Sequence, residues 1–272
     1  MRIISTLLFS LILVATGACD MNKNFDNSDA EARFQKALDY QVGKRRGAKR
    51  EIPKVRELYL EAIELGSTKA LINLANLYLR YDKKLGVTEE KAYCYYLEYS
   101  KEAANKGRPE GYVNLYASYY NGDCVTQDRE KAMMFLHKAA DMGHGSALFR
   151  LGDIERKKDP KNPKAVEWYK QALEVKYSKA AEKLYFFYER DDLKKAISYL
   201  KEGAKLGDKN ALYLLSSNYV EGDRGFSKNV ALGRCYKKME EEASENWNEV
   251  SDIPSITFPD LDERCPPDMK DK

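Results

Sequence analysis

Residues 108–143 read RPEGYVNLYASYYNGDCVTQDREKAMMFLHKAADMG, and this stretch decides how the rest of the chain is interpreted. Pro109 and Asp128 are residue types that start helices, because proline suits the first helical position and an aspartate side chain accepts a backbone N–H there. Gly122 and Gly143 are typical of helix ends, where the backbone turns left-handed. The stretch therefore predicts two consecutive helices joined by a short loop.

The same arrangement recurs on both sides of this stretch. A degenerate first unit spans residues 30–66, and the last unit ends near residue 240. Each of the other units begins with a small residue followed by leucine and, in most cases, tyrosine: Ala70, Leu74 and Tyr78; Ala147 and Leu151; Ala180, Leu184 and Tyr188; Ala211, Leu215 and Tyr219. About six units therefore occupy the body of the chain.

Apolar residues in these units follow the helical period. Leu71, Leu74, Ala75 and Tyr78 stand at i, i+3, i+4 and i+7, so they form one apolar helical face. A pair of helices of this length cannot bury such a face alone, and neighbouring pairs must stack to cover it.

The 36-residue unit resembles the Sel1-like repeat, which is related to the tetratricopeptide repeat. The resemblance implies an all-α fold, a right-handed α-solenoid of about six helix pairs over residues 30–245, followed by an extended acidic, proline-containing tail at 246–272. The residues that match the pattern are Gly111, Leu115, Tyr119, Gly122, Val125, Asp128, Lys131, Ala132, Phe135, Lys138, Ala139, Ala140 and Gly143.

Composition excludes several classes of protein. The chain has 272 residues, of which 43% are hydrophobic and 33% charged, and this excludes a polytopic membrane protein. Its 20 Tyr, 9 Phe and 2 Trp argue against wholesale disorder. The formal net charge is only +3, so no general nucleic-acid-binding signature is present.

The N-terminus has the layout of a secretory signal, with Arg2 before an apolar run that is too short to span a bilayer. Residues 15–19 read ATGAC, which resembles the processing site of bacterial lipoproteins. That resemblance implies a signal peptide at 1–18, lipidation of Cys19 and a tether at 19–29. The alternative is an ordinary signal peptide cut after Ala18. Asp20 favours retention at the inner membrane and leaves the outer membrane open, both on the periplasmic side.

Four cysteines remain besides Cys19. In an oxidising periplasm an even number favours pairing, and three connectivities are possible. We prefer Cys94–Cys124 and Cys235–Cys265, each of which closes about 30 residues and stabilises the fold by about 3–4 kcal/mol in the chain-entropy model. Buried free thiols are the alternative. None of the spacings is CxxC, so neither a metal site nor thiol exchange is expected.

Two charged segments stand apart from the repeats. Residues 43–50 read GKRRGAKR, a basic loop that either contacts anionic lipid headgroups or is simply solvated. Residues 240–272 hold 11 acidic and 3 basic residues. Their stretch FPDLD at 258–262 resembles the tail of a group of Sel1-like lipoproteins, and it either packs along the last repeat or is disordered.

The sequence contains few residues or motifs that could form a catalytic site. No GxSxG, HExxH or GxxxxGK[ST] motif is present. His137 lies at a position that the repeat leaves variable, and His144 follows the closing glycine, so both are interpreted as surface or helix-cap residues. We therefore expect no catalytic residues, no cofactor, no metal and no small-molecule substrate.

Solenoids bind partners through the surface formed by the first helix of each pair. The positions that the repeat pattern leaves free on these helices carry three aromatic residues and an arginine in the middle repeats, a composition typical of interface hot spots. Packing is the competing interpretation for such aromatic residues. The predicted protein-contact residues are Tyr120, Phe149, Arg156, Phe186 and Tyr213.

Taken together, the sequence predicts a non-enzymatic, lipid-anchored periplasmic protein that binds a protein partner. Small Sel1-like lipoproteins include immunity proteins against antibacterial type VI secretion effectors, notably phospholipases, and the resemblance implies the same role here. The alternatives are a general envelope adaptor or regulatory scaffold and, in a different class, a cell-wall or β-lactam hydrolase.

Overall fold

The computed structural model describes residues 28–42, 51–245 and 257–270, and every regular element in these ranges is a helix. The signal peptide, Cys19, most of the expected tether and the basic loop at 43–50 lie outside the described residues. The first helix begins at Ser28, two residues before the predicted start of the solenoid.

Twelve of the described helices form six consecutive antiparallel pairs, as the repeats predict. Each helix contacts its partner in the pair and the neighbouring pair. The pairs are α1 (Ser28–Val42) with α2 (Ile52–Glu64), α3 (Thr68–Leu85) with α4 (Glu89–Asn105), α5 (Pro109–Asn121) with α6 (Arg129–Asp141), α7 (Gly145–Lys158) with α8 (Pro163–Glu174), α9 (Ala180–Tyr188) with α10 (Leu193–Lys205), and α11 (Lys209–Glu221) with α12 (Val230–Glu245).

Local sequence sets the helix starts. The carboxylates of Asp128 and Asp208 accept the backbone N–H of the residue three positions on, at 2.9 Å in both cases. Proline stands in the first turn of α2, α5 and α8, where its missing N–H leaves no hydrogen bond unmade. These caps explain why the predicted helix starts agree with the structure.

Small residues at the start of each first helix allow neighbouring helices to pack closely. A Cβ atom on Gly111 of α5 would lie 2.5 Å from the backbone nitrogen of Ala104 in α4 and 2.8 Å from the carbonyl oxygen of Ser100. In the other pairs the position holds alanine, and Ala70, Ala147 and Ala211 are completely buried. The small residue of the repeat is therefore the contact point between successive pairs.

The hydrophobic core runs along the solenoid as four clusters, not as one central mass. The first contains Tyr59 and Leu74 from the N-terminal pairs, and the last contains Tyr185, Leu200 and Tyr236 from the C-terminal pairs. Each cluster joins helices that are close in sequence, which is the organisation expected of a repeat protein.

Both preferred cysteine pairs are disulfides in the structure. Cys94 in α4 bonds to Cys124 in the loop between α5 and α6, with the two Cα atoms 5.0 Å apart. Cys235 in α12 bonds to Cys265 in the tail, with a Cα–Cα distance of 5.8 Å. One disulfide therefore links the second pair to the third, and the other links the tail to the last pair.

The described part of the tail packs against the last two pairs. Phe258, Leu261 and Cys265 are buried, and the backbone N–H of Phe258 donates to the carbonyl oxygen of Lys205 at 2.7 Å. Asp262 contacts Lys201 at 3.0 Å and Lys205 at 2.8 Å. The stretch FPDLD at 258–262 is therefore packed against the last repeats and not disordered.

One feature of the tail was predicted wrongly. The tail at 246–272 was expected to be extended, yet α13 (Leu261–Arg264) forms one helical turn. Asp262 and Glu263 stand in this turn, where acidic side chains favour a helix start, and Leu261 is driven into the core. Tertiary burial of one leucine thus decides a conformation that local composition leaves open.

Candidate partner-binding site

A groove runs along the first helices of the first four pairs. Its walls come from α1, α3, α5 and α7 together with the turn before α9, and its volume is about 970 Å³. We call this cavity the groove. Its apolar lining residues include Phe34, Ile72, Leu79, Val113, Met142 and Val175.

The groove is strongly basic. Its charged lining residues comprise one carboxylate, Glu110, and six cations: Lys69, Arg80, Arg108, Arg150, Lys176 and Lys179. The basic residues come from α3, from the starts of α5 and α9, and from α7, so the folded chain collects in one place charges that are spread over about a hundred residues of sequence.

Only part of this charge is neutralised within the fold. Arg108 donates to Glu110 at 2.7 Å, and Lys69 pairs with Glu31 at 3.1 Å. Within the ranges that the structure describes, no carboxylate pairs with Arg150 or Lys176. The guanidinium of Arg150 lies 5.9 Å from the ring centre of Tyr116, a contact that leaves its charge in place.

Three helices begin at the groove without a side-chain cap. The N-cap residues of α5, α7 and α9 are Arg108, His144 and Lys179, and none of these side chains accepts a hydrogen bond from the helix start. A helix start carries partial positive charge and unpaired N–H groups. The three starts therefore add to the positive potential of the groove instead of being neutralised by an aspartate, as they are in α6, α10 and α11.

Buried polar atoms point to an incomplete hydrogen-bond network at the groove. Asn114 is only 8% exposed and lines the groove, but its amide Nδ2 has no hydrogen-bond partner among the described residues. Nε of Arg108 also has no hydrogen-bond partner among the described residues. A buried donor without an acceptor is destabilising, so a ligand with acceptor oxygens would be favoured here.

His144 lies beside these groups. Burial lowers its pKa below the ordinary value of 6.5, and Arg108 and Arg150 act in the same direction, whereas Glu110 opposes them. Its Nδ1 is 3.1 Å from the hydroxyl of Ser146. Burial therefore favours the neutral imidazole, and a further negative charge in the groove would oppose this effect.

The five contact residues predicted from the sequence do not line the groove. Tyr120, Phe186 and Tyr213 are exposed, at 41%, 42% and 55% respectively, so they are accessible to a partner. Phe149 is half-buried, with its ring centre 5.5 Å from that of Tyr169. Their contact role stays a prediction, and for Phe149 packing within the solenoid is evident.

Arg156, the fifth of these residues, is engaged within its own pair. Its Nε lies 3.6 Å from a carboxylate oxygen of Asp153, and a hydrogen bond to Tyr169 raises its pKa. The guanidinium therefore helps to join α7 to α8, and any contact with a partner would come in addition to that bond.

The charged residues of the groove were missed by the reasoning from sequence. One signal was present: Lys69, Arg108 and Lys179 stand at helix starts, where a cation is unfavourable. Basic residues recur at the starts of three first helices, and this recurrence was the signal in the sequence that pointed to a shared basic surface.

Other site types have no support in the described residues. In the described ranges, no three or more His, Cys, Asp or Glu side chains are placed to hold a metal ion. His137 is exposed on α6, with its ring centre 6.3 Å from that of Trp168. No described helix is both long enough and apolar enough to cross a membrane.

No protein-family model matches the sequence, and no curated protein does either. The fold nevertheless has solved counterparts. A Sel1 repeat protein from Oxalobacter formigenes superposes with a TM-score of 0.62 at 19% identity, covering 80% of this chain and 91% of that one.

Two immunity proteins from Pseudomonas aeruginosa are similar over slightly more of the chain. Pa5087 gives a TM-score of 0.66 at 22% identity, covering 88% of this chain and 89% of that chain. PA5088 gives 0.65 at 21%, covering 88% of each. At these identities the comparisons establish the fold alone: the protein is an α-solenoid of Sel1-like helix pairs.

Proposed function

We propose that this protein is a non-enzymatic immunity protein, anchored by lipid in the periplasm, that binds and occludes an antibacterial toxin. The toxin class that fits best is an effector delivered by type VI secretion, such as a phospholipase that attacks the envelope. Occlusion requires a shaped binding surface and a position near the target, and it requires no catalytic group.

The observation that carries this proposal is the shared fold. Two immunity proteins have the same solenoid over 88% of this chain, at nearly equal length. The groove adds a surface on which a protein partner can be held, since it combines apolar side chains with polar groups whose hydrogen bonds are incomplete.

The anchoring part of the proposal rests on residues 1–19. A lipid-modified Cys19 with two or more acyl chains gives stable membrane attachment, because each buried methylene contributes about 0.8 kcal/mol. Asp20 supports the inner membrane as the membrane occupied.

A competition experiment tests the proposed role. Deleting the gene in the source strain should make the mutant lose in co-culture against its parent, and inactivating the parent's type VI secretion should restore equal growth. Supplying the gene in trans is the control. Equal competition between the mutant and a secretion-active parent would overturn the immunity proposal.

The anchor is tested separately by Cys19→Ser. We expect this variant to protect less well, because it is no longer concentrated at the membrane, while the purified protein binds its partner unchanged. Full protection by a variant shown to be free in the periplasm would contradict the anchoring proposal.

A further inference from the structure

We infer that the groove binds an acidic segment of the partner protein, with Asp or Glu carboxylates facing Arg108, Arg150 and Lys176 and apolar side chains between them. This inference rests on the proposed role in protein binding and specifies the chemistry of the bound surface.

Charge is the first argument for an acidic occupant. The groove holds six basic residues and one acidic residue, whereas the whole chain is close to neutral, with 46 basic and 43 acidic residues. Arg150 and Lys176 lie at the groove without a carboxylate partner in the described ranges. Complementary charge across an interface speeds association and excludes wrong partners.

The uncapped helix starts supply a second argument. In α6, α10 and α11 an aspartate side chain accepts the N–H of the first turn, at 2.9–3.0 Å. In α5, α7 and α9 no side chain does so, and all three begin at the groove. A carboxylate from a partner can take the place that an aspartate holds in the other helices.

Asn114 is an independent third observation. It is 92% buried, it faces the groove, and its Nδ2 donor is unpaired in the described structure. Nδ2 of Asn114, in the second turn of α5, and Nε of Arg108, at the N-cap of the same helix, are both unpaired donors in the described structure. Both require an acceptor, and a carboxylate oxygen is a strong one.

The apolar lining favours a polypeptide over a lipid surface. Ile72 and Leu79 of α3 lie between Lys69 and Arg80 in the sequence, and Val113 of α5 follows Arg108. A segment with alternating acidic and apolar side chains satisfies both kinds of contact. A bilayer presents its headgroups as a plane and cannot follow a recessed cavity of about 970 Å³, so its phosphates would reach only the rim.

A direct binding measurement tests the inference. The probe is a fluorescein-labelled peptide that alternates Glu with Leu, and the control peptide carries Gln in place of every Glu. We expect the protein to bind the acidic peptide and to bind the Gln peptide more than about tenfold more weakly, because each lost carboxylate removes charge-assisted hydrogen bonds. Raising the salt concentration should weaken binding of the acidic peptide only.

Charge reversal locates the binding to the groove. The double variant Arg150→Glu/Lys176→Glu should bind the acidic peptide more than about tenfold more weakly than the native protein. The matched control Lys161→Glu/Lys194→Glu changes net charge equally, at exposed positions that do not line the groove, and should bind as the native protein does. All four substituted residues are exposed, so the fold is retained, which circular dichroism checks.

Three results would overturn the inference. Equal binding of the Glu and Gln peptides would remove the role of charge, and equal loss in the two double variants would remove the role of the groove. Preferential binding to phosphatidylglycerol vesicles, sensitive to the groove variant but without peptide binding, would assign the surface to lipid.

The inference and the proposed function fail separately. Groove-dependent peptide binding without any phenotype in the competition experiment would refute immunity and retain the acidic partner. Protection that survives Arg150→Glu/Lys176→Glu at full level would retain immunity and refute the groove as the contact surface.

Discussion

At corresponding positions of two helix pairs, a lysine ammonium lies over a tyrosine ring. In the third pair the Lys131 ammonium lies 4.4 Å from the ring centre of Tyr119, and in the fifth pair Lys195 lies 4.1 Å from that of Tyr188. Each contact joins the end of a first helix to the start of the second helix of its pair. The lysine that precedes the repeated alanine is thus a packing residue, stabilised by attraction to the aromatic face.

One residue departs from the repeat at a conformationally demanding position. Lys176 follows α8 with a φ of +67°, where the preceding pair has Gly143 with a φ of +75°. A left-handed backbone at a residue with a side chain costs about 1 kcal/mol. We therefore expect Lys176→Gly to raise the free energy of unfolding by about 1 kcal/mol in urea titrations.

The reciprocal change is the matched control for this prediction. A Cβ atom at Gly143 would meet no atom within 4 Å, so Gly143→Lys tests backbone conformation without a clash at the Cβ. It should lower the free energy of unfolding by about the amount that Lys176→Gly raises it. Changes of the same sign in both variants would contradict the explanation.

The second prediction at this scale concerns His144. Its folded-state pKa is lowered mainly by burial, so the unfolded chain binds the proton more readily. The contribution of neutral His144 to stability is therefore fully present above 6.5, the ordinary pKa, and is lost as the pH falls through 6.5 toward the folded-state pKa. Native protein should lose more stability than His144→Gln between about pH 7.5 and about pH 5.5.

Urea unfolding at several pH values measures this difference. His137→Gln, on the exposed face of α6, is the control and should follow the native pH dependence. Parallel curves for native protein and His144→Gln would show that folding does not change the pKa of His144.

At the scale of elements, the tail behaves as an additional packing layer for the last pairs. Phe258 is 1% exposed, and the guanidinium of Arg264 lies 5.2 Å from the centre of its ring. Arg264 also pairs with Glu242 of α12 at 2.9 Å, so α13 contacts both α10 and α12. The disulfide from Cys235 to Cys265 secures an arrangement that side-chain burial already favours.

The third prediction follows from this burial. Phe258→Ala should lower the free energy of unfolding by about 3 kcal/mol, since it leaves a cavity among residues of α10 and the tail. Asp268→Ala, at an exposed tail position, should change it by less than about 0.5 kcal/mol. Thermal and urea unfolding both report the loss, and an unchanged native-like midpoint for Phe258→Ala would show that the tail contributes no packing energy.

At the scale of the whole molecule, the basic groove and the acidic tail lie in different parts of the chain. The groove is formed by residues from α1 to the start of α9, whereas the tail contacts α10 and α12. The near-neutral net charge hides this separation. A partner with an acidic surface is therefore favoured at the groove, away from the tail.

Much of the fold was predictable because a repeat protein is built from local contacts. Tyr59, Leu74 and Tyr185 are buried with neighbours from adjacent helices, so a periodic sequence contains the core pattern directly. The cysteine pairs followed the same logic, since each joins residues 30 positions apart. The helical turn at Leu261–Arg264 was not predictable, because it depends on contact with a helix about sixty residues earlier.

By itself the sequence determined the six helix pairs, their caps and their order, because helix propensity, capping and apolar spacing act between residues that are near in the chain. Only the tertiary structure decided the groove, the placement of His144 and the docking of the tail. Lys69 lies in α3, Arg150 in α7 and Lys176 in the turn between α8 and α9. Their spacing in the sequence does not predict that they line one cavity. Superhelical stacking brings them together, since the rotation from one pair to the next is set by side-chain packing across many helices.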